Sequence, residues 1–180
     1  MIPFLISFGL GISSKFSDLC SEHGWKPFPY AGYFFGFLSG AAILYLVLTS
    51  TAPVVTLIFA IVAGLILSGK IDAPNHYLAI LIALLALPLI GFPKIDYPLF
   101  LLFTAVCVLE EKINDYTPKL RKKHKLLSQI IDLRPLLEIA TLAVSLFIQD
   151  LSLWFMLFCY DVGYLSTCGV QRNGKALILR

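Results

Sequence analysis

Glu110 to Lys125 reads EEKINDYTPKLRKKHK, and this stretch holds six of the fourteen Lys and Arg residues of the 180-residue chain. Apolar runs flank it on both sides. A concentration of positive charge between apolar segments is the signature of a cytoplasmic loop between membrane helices. Once that loop is placed inside, the orientation of every other segment follows.

Composition agrees with a membrane setting. The chain is 58% hydrophobic and only 14% charged, with a mean hydropathy of +0.85, whereas soluble domains carry roughly 25% charged residues. The expectation is an all-α, polytopic membrane helix bundle of six to seven transmembrane helices, forming a single integral membrane domain over residues 1–180. The net charge of +3 does not point to nucleic acid, because the basic residues sit in one loop and in the tail, where they report topology and headgroup contact. Cys20, Cys107, Cys159 and Cys168 form no CxxC pair and read as small apolar fillers. The first fourteen residues lack a basic leader and a small-residue cleavage site, so they are expected to stay in the mature protein.

Taken in order, Ile2 to Ile12 is apolar but too short to cross a core of about 30 Å comfortably. A loop, KFSDLCSEHGWKPFP, follows. A clear span runs from Tyr30 to Ser50, and its Gly32, Gly36 and Gly40 lie on one stripe where another helix can approach. That stripe reads as packing and offers a route to a homo-oligomer. A third span ends at Ser68, a fourth runs from Asn75 to Phe92 with Pro88 inside it, and a fifth covers Pro98 to Val108. A sixth (Leu127 to Gln149) and a seventh (Leu151 to Val170) complete the bundle. This topology puts twelve of the fourteen basic residues inside, together with the carboxyl terminus and loop 110–125, and leaves Lys94 outside and Arg134 within the membrane.

The three inside loops share a spelling: Lys15 and Asp18 then His23, Lys70 and Asp72 then His76, Lys112 and Asp115 then His124. One cation, one carboxylate and one imidazole would stand at each of three points on one membrane face. They could gather a divalent cation, with magnesium the natural choice, and an anionic headgroup. Asp18, Asp72, Glu110, Asn114 and Asp115 are the candidate metal ligands, with Lys70 and Lys112 on phosphate and His76 as acid and base. A plainer alternative is that charge gathers at helix ends because it prefers water. Deeper in the membrane, Arg134, Glu138, Asp161 and Tyr160 form a candidate polar cluster, since ionisable groups at that depth face the bundle interior and need partners.

Ile113-Asn114-Asp115-Tyr116 resembles the opening of the first aspartate-rich motif of the UbiA family of membrane prenyltransferases. The likeness covers four residues. The family's further aspartates at four-residue steps are replaced here by Pro118, Lys119 and Leu120, and no second aspartate-rich motif is present. What the resemblance implies is therefore a kind of chemistry, magnesium with a prenyl diphosphate at the cytoplasmic face, and not membership.

Three functions follow as expectations. The first is a metal-dependent enzyme acting on a phosphate-bearing lipid or isoprenoid at the cytoplasmic face. The second is a cation or proton transporter using the midplane acids, and the third is a helical membrane interaction protein.

Overall fold

A computed structural model describes residues 1–22, 24–121 and 135–178, with the side chains at 90, 117–121 and 168–178 outside that description. Among the described residues there are seven α-helices and no strand. In chain order they are α1 (Ile2–Glu22), α2 (Ala31–Thr49), α3 (Ala52–Leu67), α4 (Pro74–Ile90), α5 (Tyr97–Arg121), α6 (Pro135–Phe147) and α7 (Ser152–Ile178). Only α2 among the described helices is both long and apolar enough to cross a membrane, while α3, α4 and α6 are apolar but shorter.

Two expected loops are helical. Residues 15–22, read as the start of a loop, continue α1 to 21 residues, roughly 30 Å at the ~1.5 Å rise of a helix. Likewise Glu110 to Arg121 continue α5. Side-chain polarity by itself does not unwind a backbone already paired i to i−4, and α5 continues even through Pro118. Among the described residues α6 starts at Pro135, with Glu138 in its first turn.

The chain divides into two compact units. The first comprises Met1–Ser50 and Asp72–Pro93 with α7 from Phe155 onward, and the second comprises Thr51–Ile71 and Lys94–Trp154.

In the first unit α1 is the shared neighbour. Its buried serines each reach a different helix: Ser7 Oγ donates to the Met156 carbonyl of α7 at 2.6 Å, Ser13 Oγ lies 2.9 Å from Ser39 Oγ of α2, and Ser17 meets Asn75 of α4. Small residues let the backbones close in. A Cβ added at Gly11 would collide with the Tyr160 carbonyl oxygen, and one at Gly163 would collide with the Phe8 carbonyl oxygen, so α1 and α7 touch backbone to backbone. The glycine stripe of α2 is used inside the same unit. A Cβ at Gly36 would stand 2.5 Å from the Asn75 carbonyl oxygen, one at Gly40 would stand 2.8 Å from that of Ala79, and Gly32 faces Cys20. The stripe thus seats α4 and α1 of its own chain.

In the second unit α3 packs on α5 through Gly64, whose missing side chain makes room for Cys107. Thr104 Oγ1 donates to the Ala60 carbonyl at 3.4 Å. Asp96 starts α5: its Oδ1 accepts the Leu99 N–H at 3.1 Å, while its own N–H reaches Thr56 Oγ1 at 3.0 Å. The turn after α6 closes through Gln149 in a left-handed conformation (φ 58°), with Ser145 Oγ accepting the Trp154 N–H.

Polarity is arranged inside out. Ser7, Ser13, Ser17, Ser39, Thr56, Asn75, Thr141 and Ser145 are buried, while Phe34, Phe37, Leu85, Leu89, Leu101, Phe147 and Phe158 are exposed.

Two glycine substitutions separate packing from propensity. Gly11→Val drives a side chain into the α7 backbone and should lower stability by at least the ~1–3 kcal/mol typical of overpacking. Gly9, with nothing within 4 Å of its would-be Cβ, should accept alanine with a gain of up to about 1 kcal/mol from helix propensity. Thermal unfolding in detergent measures both.

Candidate functional site

The polar end of the first unit is built by adjacent pairs on two helices. Ser17 and Asp18 are neighbours on α1, and Asn75 and His76 are neighbours in the first turn of α4. Asn75 is buried, and its amide donates to the Ser17 carbonyl oxygen at 2.9 Å and to the Ser17 hydroxyl. That clamp sets the register of α4 on α1. One residue further along each helix, His76 Nε2 comes within 3.0 Å of Asp18 Oδ1.

α7 adds the other half. The Tyr164 hydroxyl donates to Asp18 Oδ2 at 2.6 Å, and Lys15 Nζ donates to the Tyr164 oxygen at 3.3 Å while lying 4.7 Å from the centre of its ring. Tyr160 stacks on Tyr164 one turn away, with ring centroids 6.1 Å apart. The Asp18 and His76 side chains keep 18% and 22% of their exposure, so the site is shielded yet reachable from solvent. Asp72, exposed in the connector before α4, and Glu22 add negative field at the imidazole.

Direction matters chemically. An ionised carboxylate only accepts hydrogen bonds. With Asp18 as carboxylate, Nε2 of His76 carries the proton, and the lone pair of the neutral ring lies on Nδ1. Every donor in the array points toward Asp18: Lys15 to Tyr164 to Asp18 from one side, His76 to Asp18 from the other.

The second unit holds a different arrangement. Lys70 and Asp115 form an ion pair with 35% and 56% of their side-chain exposure retained. Lys112 is exposed and Asn114 half-buried on α5. Glu110, expected to bind metal, is buried, and its Oε1 accepts the N–H groups of Leu136 at 2.8 Å and Leu137 at 3.4 Å. It therefore caps the amino terminus of α6 from another helix, and because Pro135 has no N–H to offer, these two donors are the ones in need of an acceptor. Glu111 is 2% exposed on the same helix.

Of the expected site residues, then, Asp18 and His76 are brought together, and Lys70 meets Asp115. Among the described residues no three His, Cys, Asp or Glu side chains converge closely enough to hold a metal ion. Within the expected midplane cluster, Glu138 belongs to the second unit and Asp161 and Tyr160 to the first, while Arg134, like His23 and His124 of the repeated spelling, lies outside the described residues. Sequence reasoning gave Tyr164 no role at the membrane face and passed over Asn75 and Lys15 as site members. The available signal was the Asn-His doublet at a helix start, opposite Ser-Asp in α1. Comparison with protein-family models, curated proteins and solved structures returned no match.

The two acidic sites should respond differently to mutation. Asp115→Asn removes an exposed pair and should change stability by no more than about 1 kcal/mol, less in high salt. Glu110→Ala strips the α6 cap and should cost about 0.5–2 kcal/mol, with Glu110→Gln recovering part of it by keeping an acceptor. Thermal unfolding at two salt concentrations distinguishes them; a large, salt-insensitive loss at Asp115 contradicts the reading of that pair.

Proposed function

We propose that this chain is a polytopic membrane protein, with the basic stretch 110–125 and the carboxyl terminus on the cytoplasmic side, whose first unit carries an acid–base site acting on a phosphate-bearing lipid or isoprenoid at that face. The observation that carries the enzymatic reading is the double use of Asp18, which takes hydrogen bonds from both His76 and Tyr164. A carboxylate that fixes one imidazole nitrogen frees the other to move a proton, which is how histidine is set up as a general base.

The membrane reading is supported by the inside-out polarity. Large apolar side chains on the outer faces of α2, α4, α5, α6 and α7 would be unfavourable in water at about 25 cal/mol per Å², whereas hydrocarbon accepts them and leaves helix packing to small residues and interhelical hydrogen bonds. Placing Lys15, Asp18 and His76 at one end agrees with the charge bias along the chain.

Direction within the array favours catalysis over conduction. A proton path needs each group to accept on one side and donate on the other, and here both branches end on Asp18. In the proposed roles His76 Nδ1 exchanges the proton, Asp18 orients the ring, Tyr164 is a second donor beside it, and Lys15 supplies positive charge for a phosphate oxygen. Of the metal ligands expected from sequence, only Asp18 has a part in these steps.

Purified protein in vesicles containing phosphatidic acid or a polyprenyl phosphate tests the proposal through release or transfer of the phosphate-bearing group. His76→Ala should lower the rate by about 10²- to 10⁴-fold, the usual contribution of a general acid–base group, with the melting temperature held. An unchanged rate removes the catalytic assignment. Release of the chain from membranes by alkaline carbonate without detergent removes the integral-membrane assignment.

A further inference from the structure

Lys112 and Asp115 on α5 repeat the spacing of Lys15 and Asp18 on α1, and one interval relates both pairs: 112 less 15 and 115 less 18 are each 97. The same interval recurs in the packing. Ser13 of α1 meets Ser39 of α2, and Glu110 of α5 meets Leu136 of α6; 97 residues separate Ser13 from Glu110 and also Ser39 from Leu136. Ser7 of α1 donates into the Met156 carbonyl of α7, while Thr104 of α5, again 97 residues on, donates into the Ala60 carbonyl of α3. Met156 and Ala60 are themselves one residue short of that interval. Close approach recurs at the next turn, Gly11 against Tyr160 in the first unit and Cys107 against Gly64 in the second.

Three helices per half are thus related: α1 with α5, α2 with α6, and α3 with α7. Their grouping is crossed. The first unit takes α1 and α2 from one half and α7 from the other, and the second takes α5 and α6 with α3. Chance could produce one shared spelling, but matched contacts at positions 7 and 13 of one helix and 104 and 110 of the other need a common plan.

We infer that the second unit carries a counterpart of the first unit's site, with Asp115 in the place of Asp18, Lys112 in the place of Lys15 and Lys70 where Tyr164 and His76 stand, and that this counterpart binds a phosphate group. The inference deepens the proposed function and rests on it for the ligand class. The differences between the copies set the chemistry. Counting back 97 from Tyr164 reaches Leu67, which is exposed and carries no hydroxyl, and three residues later Lys70 supplies the partner of Asp115. The phenol is absent here and an ammonium is added. Lys112 lies one turn before Asp115 on the same helix face. Lys70 is paired with the exposed Asp115 carboxylate and Lys112 follows its helix face, so an oxyanion can compete with that carboxylate for the ammonium groups. The Asp115 carboxylate holds the Lys70 ammonium in position while the site is empty, and a phosphate can replace it as the acceptor. Binding, without proton transfer, is what such a set of groups offers.

Native mass spectrometry of the full chain in detergent, titrated with dioctanoyl phosphatidic acid and separately with inorganic phosphate, tests this. Two bound phosphatidic acids per chain are expected. The Lys70→Gln/Lys112→Gln double variant should bind one at an unchanged melting temperature, and Lys15→Gln should remove the other. A single bound lipid that is lost with Lys15 and indifferent to Lys70 and Lys112 overturns the second site while leaving the proposed function standing. A single bound lipid lost only with Lys70 and Lys112 supports the second site and removes the ligand assigned to the first. No binding by either probe removes both. Displacement of the lipid that depends on Lys70 and Lys112 by inorganic phosphate shows that the phosphate alone is recognised; a site dependent on those two lysines and filled only by phosphatidic acid shows recognition of the lipid headgroup.

Discussion

The backbone contact between α1 and α7 is the constraint from which the first unit follows. It exists because Gly11 and Gly163 lack side chains at the two points of closest approach. Gly163 immediately precedes Tyr164, and Gly11 lies two turns before Asp18 on α1. Bringing the two backbones into contact therefore delivers the Tyr164 hydroxyl to the Asp18 carboxylate, a reach that a valine at either glycine would break. The same α1 then receives α2 through Ser13 and α4 through Ser17, so the site inherits its geometry from packing two or three turns away.

Interhelical hydrogen bonds involving serine or threonine join α1 to α2, α4 and α7, and α3 to α5. Each is worth about 0.6 kcal/mol on average in a membrane bundle, so no single one decides the fold. Their role is register. Asn75 satisfies both the Ser17 carbonyl and hydroxyl only at one sliding position of α4 along α1, and at that position His76 falls opposite Asp18. A shift of one residue would turn His76 away by the 100° that separates successive helix positions.

Much of this was legible in the sequence. The apolar segments gave α2, α3 and α4 close to their observed limits, and the spacing of Gly32, Gly36 and Gly40 gave a close helix contact. Repetition of Lys, Asp and His drew attention to Asp18 and His76, which meet. What the sequence hid has a physical cause in each instance. Lys15, Asp18 and Glu110 looked like loop residues because polarity suggests water, yet a helix continues as long as its backbone bonds are made. Glu110 looked like a metal ligand because a carboxylate near other carboxylates suggests a cation. Its Oε1 accepts backbone N–H groups of α6, and backbone donors leave no trace in residue identity. Tyr164 sits 146 residues from Asp18, and no local pattern reports a contact at that separation.

A crossed arrangement of repeated helices has consequences for how function can differ between copies. When α7 packs on α1 and α3 packs on α5, each Asp draws a partner from the opposite half of the chain. Substitutions at the end of α3 then alter only the site around Asp115, and substitutions at the end of α7 alter only the site around Asp18. Tyr164 could be selected beside Asp18 without imposing a phenol beside Asp115, and Lys70 could be placed beside Asp115 without adding an ammonium to the first site. A shared plan thus permits one carboxylate to hold an imidazole in place for proton transfer and the other to hold an ammonium ready for an anion.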